Sequence, residues 1–218
     1  MPRKRRILLV TGSRADYGLQ KTLIKKIQEH PRLELLFVVT GTHLSPMHGM
    51  TINEIIEDNT EITEKVDLEI SGDNPSDICA AIATGLQKFS FLLPRLKPDM
   101  VVLIGDRYEL LCPAIPSLLL KIPIAHIAGG HVTAGAIDDA IRHSLTKYSH
   151  IHFTATRVYA DRIVQLGEDP SKVFVVGSTG LDRVIGFSRP TKTEFENETG
   201  VLIDRPTLLV TLHPATLD

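Results

Sequence analysis

The sequence predicts an α/β protein built on a doubly wound, Rossmann-like parallel sheet, and three observations carry that reading. Short runs rich in Val, Ile and Leu recur along the chain. Longer stretches with helical spacing lie between them, and polar segments rich in glycine follow the runs. Strands that are apolar on both faces and alternate with helices describe a parallel sheet covered on both sides.

Taken in order, "RILLV" opens the sheet, and its turn "TGSRADYG" leads into the helical stretch "LQKTLIKKIQEH". "LELLFVVTG" and "VDLEI" are the next two strands, followed by the helix "ICAAIATGLQKFSFLLPRL". "DMVVLIGD" is apolar until its last residues, and "IPIAHIAGG" ends in a glycine turn. After it come a loop, "HVTAGAI", and the helix "DDAIRHSLTKYS", whose first turn carries Asp138 and Asp139 where the helix dipole favours them. "HIHFTAT" and "KVFVVGSTG" complete the sheet. From Ser188 the polar, proline-flanked "SRPTKTEFENETGVLIDRP" looks like an inter-domain joint. The expected organisation is a first domain over 1–188, a linker over 189–206, and residues 207–218 as the first strand of a truncated second domain. The plainer reading of "TLLVTLHP" is a terminal strand on the edge of the same sheet.

The 218 residues are 43% hydrophobic and 23% charged, enough apolar material for a sizeable core. A net charge of −2 argues against nucleic acid or an anionic membrane as partner, and the basic "PRKRR" at the start reads as a solvated end. Cys79 and Cys112 sit in apolar stretches without metal-type spacing, and no signal peptide or long apolar span precedes them. Both thiols are expected in the core of a reduced, cytoplasmic protein.

Ligands of open α/β sheets bind beyond the carboxyl ends of the strands. There, Arg14 in the Gly-Ser-Arg turn can offer a bidentate contact to phosphate or a sugar oxygen, or else pair with Asp16 as a local cap. The turn is neither GxGxxG nor a Walker loop, so neither a nicotinamide cofactor nor ATP is implied. Gly105, Asp106 and Arg107 end an apolar strand; burial should raise the carboxyl pKa of Asp106 and suit it to proton transfer, unless the next helix takes it as an N-cap. Asp138 with Arg142, and Asp139 with His143, stand four apart and are expected to pair on one helix face. Ser178 lies in a small-residue turn suited to an anion or ribose, and His213 ends the last apolar run. His150 and His152 read as core or packing residues, and no metal site is expected.

Together "TGSRADYG", "GTHLSP", "GDRYE", "HIAGG", "GAIDDAIRHSLTKYSHIHF", "VGSTGLD" and "VTLHP", in that order, resemble the hydrolysing UDP-N-acetylglucosamine 2-epimerases of sialic-acid and related nonulosonic-acid biosynthesis. The resemblance implies the first half of a glycosyltransferase-B type two-domain enzyme, with no metal or nicotinamide, commonly a homo-oligomer (dimer or tetramer). It implies that Arg14 contacts the nucleotide sugar, that Asp106 is an essential carboxylate, that Asp138 with Arg142 belongs to the catalytic group, and that His213 lines the cleft. Arg107, His143 and Ser178 join the expected substrate-binding set. Two departures stand out: Ala128 and His131 occupy positions where many relatives have an acid. Either His131 or the Asp106 and Asp138 pair is then expected to take over that acid's role, or the chain has a relative's variant substrate or no activity.

The family expels UDP to form a glycal and then adds water with inversion at carbon 2. That chemistry needs a base near carbon 2, cations for the diphosphate and a proton donor on the opposite face. The alternatives are a catalytically incomplete nucleotide-sugar binding half-domain, an epimerase for a GDP-linked or 2,4-diacetamido sugar, and a glycosyltransferase of the same architecture. An isolated first domain is expected to bind UDP weakly and turn over little.

Overall fold

The computed structural model describes residues 3–185 and 188–211. Seven strands run β1 (Arg5–Thr11), β2 (Leu33–Thr40), β3 (Glu64–Val66), β4 (Met100–Ile104), β5 (Ile124–Ile127), β6 (Ile151–Thr154) and β7 (Val173–Val175). They form one sheet in the order β3-β2-β1-β4-β5-β6-β7, every neighbouring pair parallel. The order reverses direction between β1 and β4, and that is where a doubly wound sheet opens a crevice at its carboxyl edge.

Among the described residues, α1 (Arg14–Glu29), α2 (Ile52–Glu57), α3 (Pro75–Leu96), α4 (Leu111–Leu119), α5 (Ile137–Tyr148) and α6 (Arg157–Gln165) connect successive strands, and α7 (Thr179–Ile185) and α8 (Lys192–Thr199) follow β7. Alternation along the strands feeds two cores. Leu8, Val10, Leu36, Val38, Val101 and Leu103 face α3, α4 and Leu145 of α5, while Ile7, Leu9, Phe37, Val39, Val102 and Ile104 face α1 and α2. The strands β1, β2 and β4 are therefore apolar on both faces, as a sheet covered on both sides requires. Helices α3 and α4 approach so closely that a Cβ on Gly85 would stand 2.3 Å from the Cys112 sulfur.

Several local expectations change. The third strand occupies 64–66 rather than the predicted 66–70: after Val66 the Asp67 carboxylate accepts the Glu69 amide at 2.8 Å, and Glu69 turns to φ 57°, which ends the ladder. Cys112 is buried, but Cys79 is exposed on the outer side of α3. Likewise His152 is buried in β6, whereas His150 lies just before that strand, exposed, with Nδ1 accepting the Ile124 amide at 3.2 Å. The polar joint contains a helix of its own, α8, opened by a Thr191/Glu194 capping box and closed by Gly200 at φ 71°. Residues 207–211 form no ladder with the sheet, and Leu208 and Leu209 stand more than nine-tenths exposed. The edge-strand reading is thus overturned for the described part of that run. Among the described residues, no helix is long and apolar enough to cross a membrane.

Candidate active site

At the end of β1, Ser13 caps α1: its backbone is extended and its Oγ accepts the Asp16 amide at 3.4 Å. Arg14, the first helical residue, points outward with its side chain 77% exposed and its Nε 3.3 Å from Glu54 Oε2. The expected Arg14–Asp16 cap is therefore not made. Asp16 instead turns inward and accepts the Gly12 amide at 3.3 Å, and burial pushes its carboxyl up to about 6. Gly41, after β2, is packed so tightly that a Cβ would sit 2.6 Å from the Gly12 carbonyl.

After β4 the chain turns at Gly105, φ 89°, whose carbonyl accepts His126 Nε2–H at 2.7 Å. That bond fixes the tautomer and leaves Nδ1 of His126 unprotonated, 3.2 Å from the Thr146 hydroxyl, which donates to the Arg142 carbonyl at 3.0 Å. Burial holds His126 neutral, lowered to about 4. The next two residues diverge. Asp106 faces α5 and takes a charge-assisted hydrogen bond from Arg142 Nη2. Arg107 faces the other way and donates Nε and Nη2 to the fully buried carboxylate of Glu109, the latter at 2.8 Å. Asp106 caps no helix, since the first residue of the following turn is led by Arg107.

Arg142 is the hub of the α5 side. Its side chain is 6% exposed, and it reaches the His131 carbonyl at 3.1 Å, the Thr133 hydroxyl at 2.8 Å, Asp139 Oδ1 at 3.2 Å and Asp106. The expected Asp138–Arg142 pair is replaced by Asp139, three residues before the arginine, because Arg142 folds back toward the strand ends rather than along the helix. Asp139 also takes the Thr133 amide at 2.8 Å and lies 3.5 Å from His143 Nε2, as the sequence spacing anticipated. Asp138 is half-buried and has no hydrogen-bond or ion-pair partner among the described residues. His131 stacks on Tyr159 with ring centroids 3.8 Å apart, its Nε2 buried without a hydrogen-bond partner among the described residues. Burial, then the Arg142 charge, lowers its pKa.

The structure so gathers Asp106, the His131 carbonyl, Arg142 and, through Asp139, His143 on one side of the β4 loop, with Arg14 and Arg107 on the other. A cleft lined by Ser13, Arg14, Ala15, Thr42, His48, Thr51, Asp73, Arg107 and Tyr108 occupies that second side. Ser178 is exposed in the turn before α7, and α7 folds back on α1, so that Gly180 lines a neighbouring hollow with Arg14. His213 lies outside the described residues. Asp16, Glu109, His126 and Asp139 were not among the expected site residues. Asp16 and Glu109 lie inside the motifs "SRADYG" and "GDRYE", but nothing in a polar neighbourhood of sequence marks a carboxylate as buried. Among the described residues, no three His, Cys, Asp or Glu side chains group as metal ligands would.

A family model described as UDP-N-acetylglucosamine 2-epimerase matches residues 25–218. The chain is 40% identical over 215 residues to a GDP/UDP-N,N'-diacetylbacillosamine 2-epimerase (hydrolyzing) of Campylobacter jejuni, covering 99% of this chain and 56% of that protein. It is 38% identical over 213 residues to polysialic acid biosynthesis protein P7 of Escherichia coli, covering 98% of this chain and 54% of that one. The chain thus spans about half the length of the curated relatives it matches. Among solved structures, the UDP-N-acetylglucosamine 2-epimerase of Neisseria meningitidis bound to UDP-GlcNAc aligns with TM-score 0.72 at 22% identity, over 83% of this chain and 48% of that one.

Proposed function

Since the chain belongs to the UDP-N-acetylglucosamine 2-epimerase family, we propose that it carries the acid–base half of a hydrolysing 2-epimerase acting on a nucleotide-linked 2-acetamido sugar. The observation that carries this reading is the fixing of Asp106 by the buried Arg142, whose guanidinium also holds the carbonyl of His131, a residue whose ring nitrogen Nε2 is buried without a partner among the described residues. In that reading the C1–O bond breaks with its electron pair leaving on the nucleoside diphosphate, while a base takes the proton from carbon 2 and a C1=C2 glycal forms. Water then adds, hydroxyl to carbon 1 and proton to the opposite face of carbon 2, giving the 2-epimer. Asp106 and Asp138 share the proton transfers, and His131, kept neutral by burial, is a further group able to accept a proton. Arg14 and Arg107 face the departing diphosphate. The reaction calls for no metal or nicotinamide.

A second reading rests on the share of its relatives' length that the chain spans: as a unit by itself it binds the nucleotide sugar and releases little product. The relatives' names also put a 2,4-diacetamido sugar beside UDP-N-acetylglucosamine as substrate. The test is incubation in D2O with either nucleotide sugar. Released 2-epimer carrying deuterium at carbon 2, together with free nucleoside diphosphate, supports the epimerase and identifies the sugar. Saturable binding without release favours the binding half. Release of the unepimerised sugar, with no deuterium, overturns the elimination.

A further inference from the structure

Two buried carboxyl groups stand behind Arg107, and the epimerase chemistry uses neither. Glu109 is fully buried, and both of its oxygens accept the Nε–H of Arg107 at 3.2 Å. Asp16 is 6% exposed; the point where a Cβ on Gly12 would sit lies 3.6 Å from both its Oδ2 and the Glu109 carboxyl carbon, so the two acids flank one spot. The guanidinium that faces them also lines the cleft with Ser13, Arg14 and Thr42 at the amino end of the sixteen-residue helix α1. Two carboxylates on one guanidinium leave a surplus negative charge away from water, which is an unusual backing for a wall that meets an anion.

We propose that Asp16 and Glu109 are positioning residues that aim Arg107 at the diphosphate of a nucleotide sugar, and that Asp16 takes up a proton when that anion docks. The proposal rests on the nucleotide-sugar reading given above. Glu109 fixes the direction of the guanidinium through its two-pronged acceptance. Asp16 supplies the adjustable charge: when the diphosphate draws on Arg107, the carboxylate loses part of the cation that faces it and gains an anionic neighbour, and both changes favour its neutral form. Its resting value of about 6 leaves it ionised near neutrality and within reach of such a change. The charged groups facing Asp16 from the β4 loop are Arg107 and Glu109. His43, in the turn after β2, feels the same guanidinium but is held by burial at about 4, so it stays neutral over the range concerned. His48 and Asp73 also line the cleft, so a proton count for the whole protein would not single out Asp16.

The test is a carbon-13 NMR titration of the Asp16 carboxyl in aspartate-labelled protein, the signal assigned by its loss in D16N. It runs from about pH 4.5 to about pH 8, with and without UDP-N-acetylglucosamine. Both phosphates of the intact probe are ionised throughout, and spectra are read before turnover releases UDP, whose terminal phosphate would itself titrate in this range. The expected result is a midpoint raised by about one pH unit at saturation, a tenfold tighter hold on the proton. The rise should disappear in R107Q. An unmoved midpoint in wild-type protein whose backbone amides report bound ligand overturns the proposal and leaves the nucleotide-sugar reading standing. An undiminished rise in R107Q overturns the role given to the arginine. No binding at millimolar probe overturns both readings.

Discussion

Arg142 organises one side of the site because it is a buried guanidinium with more donors than any single carboxylate can satisfy. It holds two acids, a carbonyl and a hydroxyl, and it is the side chain that joins β4 to α5. Asp106→Asn keeps the shape and removes the charge. Turnover of the nucleotide sugar is expected to fall about 10²- to 10⁴-fold. The fold should lose only about 1 to 2 kcal/mol, because Asp139 still faces the guanidinium. Steady-state kinetics beside a urea melt check this, and a normal rate would remove Asp106 from the chemistry. Sequence spacing put Arg142 in an ion pair with an aspartate of its own helix. It chose Asp138 over Asp139 as partner because an i,i+4 rule describes a side chain lying along its own helix, and this one leaves its helix for a neighbouring strand.

At the scale of the element, the turn after β5 sets where His131 stands. Ala128 and Gly130 both adopt left-handed backbone, at φ 68° and 81°. A Cβ on Gly130 would lie 2.4 Å from the Tyr159 carbonyl of α6, a backbone atom that has nowhere to go. Gly130→Ala is expected to cost about 2 to 4 kcal/mol, strain and overpacking together. Gly167 has the same kind of backbone, φ 95°, but its nearest neighbour is the flexible end of Lys147 at 3.8 Å, so Gly167→Ala should cost only about 1 kcal/mol. Denaturant midpoints of the two variants give the comparison, and equal losses would mean that the contact with α6 contributes nothing. The turn itself was legible as "AGG"; the approach of α6 was not, since Tyr159 is far along the chain.

For the whole molecule, burial of ionisable groups at the sheet's carboxyl edge makes stability depend on pH in opposing directions. His43 and His126 are lowered from 6.5 to about 4. Below about 6.5 the unfolded chain takes up protons that the folded one refuses, so each costs stability as pH falls toward 4. Asp16 is raised from 3.8 to about 6, so the folded chain holds its proton first, and acidification through 6 toward 4 returns stability worth about 3 kcal/mol. The two histidines outweigh the aspartate, and the protein should weaken between pH 7 and about pH 4.5. D16N removes the compensating group and should steepen that loss by about 2 kcal/mol, read from urea melts at the two pH values. An unchanged slope would contradict the burial of Asp16 as a charged group. By itself the sequence determined the parallel α/β sheet, the placing of polar residues at its strand ends and the family, because period and local turn chemistry are properties of neighbouring residues. Only the tertiary structure decided which carboxylates are buried, that Arg142 pairs with Asp106 and Asp139, and that Asp16 and Glu109 converge on Arg107. Those facts depend on the distance between segments that the strand order brings together, which no local pattern records.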